Sequence, residues 1–122
     1  MKCKPIRAAT EIIGRTVTNS RGEKLGRIED IVIDGPRGQV AYAVLSFGGF
    51  LGVGDRLCAI PWDVLVEDPH SGCLLLDVDK DRLRKAPGFD KHHWPDMADD
   101  AWASEVYEYY GVEPYWGSKT RP

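Results

Sequence analysis

The chain has 122 residues, of which 16 are Lys or Arg and 19 are Asp or Glu, and its formal net charge is −3. At this size a folded chain buries about two-thirds of the surface its unfolded form exposes, enough for one core without covalent staples; 43% hydrophobic and 29% charged residues exclude a disordered or membrane class. Scattered basic residues in an acidic chain disfavour direct nucleic-acid binding, which relies on a clustered basic surface.

The start, Met1-Lys2-Cys3-Lys4 followed by Pro5 and Ile6, lacks the apolar stretch of a signal peptide. No run approaches the roughly 18 apolar residues of a membrane helix, so a cytoplasmic protein without membrane contact is expected. Thr10 is placed to cap a helical turn over 11–13, closed by Gly14, and a strand over 15–18 follows. Asn19, Ser20, Arg21 and Gly22 carry turn chemistry, so the strand resuming near Lys24 pairs back as a hairpin.

Over 25–34 the apolar positions Leu25, Ile28, Ile31 and Ile33 alternate only if Glu29 and Asp30 mark a phase slip, which a β-bulge supplies. After the turn Gly35-Pro36-Arg37-Gly38, residues 40–47 are apolar on both faces, the pattern of a central strand covered on two sides. GGFLGVG over 48–54 lacks the lysine and the following helix of a phosphate-binding loop. It reads instead as a glycine-rich hairpin exposing Phe50 and Leu51. A strand over 56–60 ends at Pro61 and Trp62, because proline donates nothing to a ladder, and 64–67 with 73–78 form a last pair around the turn 68–72.

After Asp79 the character changes. A short helical turn over 81–85 stops at Pro87 and Gly88, and 92–96 is an irregular aromatic stretch. A second helix over 100–110 is capped by Asp99 or Asp100 and terminated by Gly111; Trp102, Val106, Tyr109 and Tyr110 set an aromatic stripe on one face. That stripe must bury itself on its own barrel or across a dimer. Phe50, Leu51, Trp94, Trp102, Tyr109, Tyr110 and Trp116 are therefore the candidate partner-binding residues.

Signals for chemistry are weak. Cys3, Cys58 and Cys73 have no CxxC spacing and read as reduced, apolar thiols, with Cys3, near the terminus, the exception open to oxidation or an intermolecular disulfide. Asp90, His92, His93 and Asp96 hold ligand-type atoms, but adjacent histidines on an extended segment point apart, so these are weak metal candidates and no metal or cofactor is expected. The acidic pairs Glu29 with Asp30, Asp79 with Asp81 and Asp99 with Asp100 are neighbours in sequence rather than groups facing a common cleft. No serine sits in a nucleophile elbow, and a non-enzymatic protein is expected.

The segments IIGRTVTNSRGEKLGRIEDIVID (12–34) and GQVAYAVLSFGGFLGVGDRLCAIPWDVL (38–65) together resemble a PRC-barrel domain. The resemblance is carried by Ile13-Gly14 at the first strand, Gly22 with Leu25-Gly26 around the hairpin, the strands over 28–34 and 42–47, and Ala59-Ile60-Pro61-Trp62. It covers about 8–85 and implies a mainly β fold, a small five- or six-stranded antiparallel barrel, with 86–122 as a C-terminal extension bearing the aromatic helix. Members of the family bind a ribosomal protein or help organise an electron-transfer complex, so the resemblance implies a scaffold or adaptor without a shared catalytic set. A homodimer with an unidentified protein partner is expected. Two alternatives stand beside it: metal or small-ligand binding through His92 and His93, and a factor associated with the ribosome or RNA processing.

Overall fold

Alternating apolar residues and turn chemistry become seven strands in the computed structural model, which describes residues 7–47 and 56–118, with side chains as far as Trp116. The chain opens with α1 (Ala9–Ile12), where the Glu11 carboxylate accepts the Ala8 amide at 2.9 Å. Then come β1 (Thr16–Thr18), β2 (Lys24–Asp34), β3 (Gln39–Phe47), β4 (Arg56–Pro61), β5 (Val66–Glu67) and β6 (Leu74–Leu75). They are followed by α2 (Lys80–Arg84), β7 (Gly88–Asp90), α3 (Asp100–Tyr109) and α4 (Tyr115–Ser118).

In space the strands lie in the order β5-β6-β1-β2-β3-β4-β7. This corrects the expected architecture in three respects. Among the described residues there are seven strands instead of five or six, β1 and β6 run parallel, and no pairing joins the outer strands β5 and β7. The additional strand β7 is too short for alternation to show in sequence. Arg56 explains its place: its guanidinium donates to the carbonyls of Arg84 and Ala86, leading the chain from α2 along β4.

The phase slip in β2 is present as a register shift between Ile28 and Asp30. Ile28 thereby stays in the core while Glu29 and Asp30 remain exposed. Inside the curved sheet, Val17, Leu25, Ile28, Leu45, Ile60, Leu65, Leu74 and Leu83 form one apolar cluster. A second cluster forms on the opposite face, where Tyr42 and Ala59 meet Ala103, Val106, Tyr107 and Tyr115 from the C-terminal segment. Strand β3 is thus buried on both sides, as its sequence implies.

Helix α3 starts at Asp99, whose carboxylate accepts the Ala101 amide at 3.0 Å, and ends before Gly111, at φ 73°. It packs on its own sheet. Its buried residues are Ala103, Val106 and Tyr107, with Trp102, Tyr109 and Tyr110 half-buried beside them. The buried stripe is therefore displaced from the expected one toward Tyr107, whose hydroxyl donates to the Ala41 carbonyl at 2.9 Å. With that partner, a tyrosine is as good a core residue as valine.

Strands β2 and β3 approach so closely at Gly26 that a Cβ there would stand 2.1 Å from the Ser46 carbonyl oxygen, whereas one at Gly35 would meet nothing within 4 Å. Gly26→Ala should lower unfolding stability by about 1–3 kcal/mol, and Gly35→Ala should change it by no more than about 0.5 kcal/mol. Urea denaturation of the two variants side by side checks the contrast.

Candidate functional site

Two grooves flank the far end of the β2–β3 hairpin. The larger, of about 550 Å³, lies between the hairpin tip and the C-terminal segment and is lined by Asp34, Arg37, Tyr42, Met97, Asp100, Tyr115 and Trp116, among others. Across it the Tyr115 hydroxyl donates to the Asp34 carboxylate, and Arg37 Nη1 reaches the same Oδ2 at 3.4 Å. The Arg37 guanidinium also stands over the Tyr115 ring, 5.9 Å from its centroid. The Tyr115 hydrogen bond holds the Asp34 carboxyl below its ordinary range; burial and then the Asp34 carboxylate push Tyr115 up to about 12.

Tyr42, 2% exposed, meets Trp102 and Tyr107 edge-on with ring centroids 5.5 and 5.6 Å away. Among the described residues its hydroxyl has no hydrogen-bond partner, and the Tyr110 hydroxyl is in the same state. Burial raises the pKa of both phenols well above the ordinary tyrosine value. A buried hydroxyl without a partner costs about 1–3 kcal/mol.

The smaller groove, of about 290 Å³, is apolar, lined by Ala9, Ile12, Ile31, Ile33, Val40, Trp62 and Leu74 with Arg7 and Glu67 as its charged residues. Glu67 Oε2 takes Arg15 Nη1 at 2.7 Å and Arg7 Nη2 at 2.8 Å. The Arg15 hydrogen bond is the main reason that its carboxyl sits below the ordinary 4.5. Ile33, at the edge of this groove, is 58% exposed. On the side of β2 away from β3, backbone pairing stops at Ile28 among the described residues, and the Asp30 carboxylate caps the Ile31 amide at 2.8 Å.

The residues singled out in the sequence are dispersed. Phe50 and Leu51 lie outside the described residues. Trp102 packs on Tyr42 and Trp116 on Tyr107, at centroid distances of 5.5 and 5.2 Å, and Tyr42 and Tyr107 meet between them. Trp94 is 41% exposed and tilts against Phe89 at 5.1 Å. Tyr109 donates to the Arg82 carbonyl and carries the Arg82 guanidinium over its ring at 4.4 Å, tying α3 to α2. Asp34, Arg37 and Tyr42 were not singled out, and no local signal brings them to Tyr115. Tyr115 and Asp34 are 81 positions apart, so nothing in the sequence pairs them.

Asp90 uses its Oδ1 to accept the His92 amide at 2.8 Å, and Asp96 accepts the Ala98 amide at 3.0 Å, so both close turns. His93 Nδ1 is 3.9 Å from Asp90 Oδ2, both side chains largely exposed. Among the described residues no three His, Cys, Asp or Glu gather into a metal-binding group. Cys58 is buried, Cys73 half-buried, and both are free; burial pushes the Cys58 thiol up.

Against known protein families, residues 5–83 match the PRC-barrel domain. The chain matches none of the curated proteins compared with it. The matched span holds the whole smaller groove, whereas the larger groove has one wall inside the span and one beyond it. No helix among the described residues is long and apolar enough to cross a membrane.

Because the Glu67 carboxyl is depressed in the folded chain, its ion pairs contribute stability above the ordinary value of 4.5, and that contribution disappears as pH falls through the lower folded value. Glu67→Gln should therefore be less stable than the natural chain at about pH 6 and converge with it toward about pH 3. Urea midpoints measured across that range check the convergence; a gap that persists at the acid end would assign the loss to packing instead.

Proposed function

Since the chain belongs to the PRC-barrel domain family, a family of interaction modules, we propose that it is a non-enzymatic adaptor that holds a partner protein and acts as a homodimer. The observation that carries this reading is Ile33, more than half exposed and standing beside an apolar groove on the same surface. A ridge next to a groove of matching chemistry is self-complementary. Under two-fold symmetry each copy places its Ile33 in the groove of the other, and one favourable contact is made twice. Fully burying an isoleucine is worth about 1.5–3 kcal/mol, and with 58% of Ile33 exposed roughly half of that is gained by each copy, a nucleus for a dimer.

The acids with depressed pKa values support a role without chemistry. Glu23 is held by Asn19, Asp68 by the His70 amide in a turn, Glu67 by Arg15 and Asp34 by Tyr115. Each perturbation comes from a contact that ties the fold together. General acid and base catalysis instead needs a group brought toward neutral pH, whereas in the larger groove the Asp34 carboxyl is lowered and the phenols of Tyr42 and Tyr115 are raised, both away from it.

Ala9 lines the smaller groove and is exposed, so an arginine there would set like charges against each other across the two-fold contact without disturbing the core. The natural chain should sediment as a dimer and Ala9→Arg as a monomer with an unchanged circular dichroism spectrum. A monomeric natural chain rejects the homodimer, and a dimer that survives Ala9→Arg rejects this surface.

A further inference from the structure

The larger groove combines three features that bear on binding. Its volume of about 550 Å³ lies within the range of ligand-binding pockets. Tyr42 lines it while almost wholly buried, with a hydroxyl that has no partner among the described residues. Arg37, from the exposed hairpin tip, extends its guanidinium over the Tyr115 ring and toward Asp34.

We propose that this groove docks an arginine side chain carried by a basic segment of the partner protein, and that Arg37 stands in for that side chain in the free chain. The proposal rests on the adaptor reading and names the chemistry of the partner. Guanidinium is the group that fits. It is planar, stacks on aromatic faces, and forms directed hydrogen bonds to carboxylates, where an ammonium offers only a point charge. The site supplies the aromatic faces of Tyr115 and Trp116 and the carboxylates of Asp34 and Asp100.

Charge around the groove points to the same partner. From residue 86 to 116 the chain carries Asp90, Asp96, Asp99, Asp100, Glu105, Glu108 and Glu113 against Lys91 alone. Asp99, Asp100, Glu105 and Glu108 are exposed along α3, the helix that contributes Asp100 and Ala103 to the groove wall. A segment entering with an arginine in the groove would thus lay its other basic residues along an acidic helix. Electrostatic complementarity of this kind steers encounter and sets orientation.

The probe is a fluorescein-labelled Gly-Ser peptide bearing three arginines, with a lysine twin, titrated into the full chain by fluorescence polarisation. The arginine peptide should bind more tightly than its twin. Arg37→Ala, which removes the internal competitor, should tighten arginine-peptide binding by about two- to fivefold, and Asp100→Asn should weaken it. Arg37→Lys retains the charge, so it should tighten binding as well and serves should the alanine variant fold poorly. Equal binding of the two peptides, no binding at all, or binding indifferent to both Arg37 substitutions would overturn the assignment. Ala9→Arg lies in the other groove and should leave peptide affinity unchanged. If that variant abolishes the dimer while the arginine peptide fails to bind the natural chain, the arginine site falls and the adaptor reading stands.

Discussion

From Ala41 to Leu45 and again from Leu57 to Pro61, every side chain is buried. A pair of strands with apolar residues on both faces needs two covers, and the rest of the molecule supplies them. On the inner side β1, β2, β6 and α2 close around Leu45 and Ile60. On the outer side the cover is α3 with the residues that follow it, laid over Tyr42 and Ala59. The C-terminal segment is thus part of the folded unit: without it, Tyr42 and its neighbours would face water as one apolar patch, a state that soluble chains avoid.

Burial of this kind is not directional, and it leaves open where the cover sits along the strands. Tyrosine hydroxyls remove that freedom. Tyr107 reaches the Ala41 carbonyl, Tyr115 the Asp34 carboxylate and Tyr109 the Arg82 carbonyl, so the segment is fastened to β3, to the hairpin tip and to α2. Each tie links a residue of the extension to one within the family span, and each offsets the cost of taking a phenol out of water. The spacing between hairpin and extension, which defines the larger groove, follows from these fastenings.

The two grooves consequently have different origins. The apolar one is made wholly of residues within 7–74, inside the span matched by the PRC-barrel domain. The larger one requires Met97, Asp100, Tyr115 and Trp116, which lie beyond that span. A contact between copies built on the first would be a property of the shared domain. Recognition through the second would be a property of this chain's own extension, which adds aromatic faces and acidic charge where the domain alone offers one wall.

Much of this architecture was legible in the order of residues, because turn chemistry and alternation are local. Asn19 to Gly22 and Gly35 to Gly38 mark the hairpins, Glu29 and Asp30 mark the bulge, and the two-faced apolar strand announces that something must cover it. Asp99 and Gly111 bound α3 in sequence as they do in space. Strand β7, the parallel pairing of β1 with β6 and the open order of the sheet were decided only by tertiary structure, since three-residue strands carry no periodicity and their pairing depends on partners such as Arg56. The same holds for Asp34, Arg37, Tyr42 and Tyr115. Local pattern specifies which residues want burial or a turn, but it does not tell which distant side chains will share one groove.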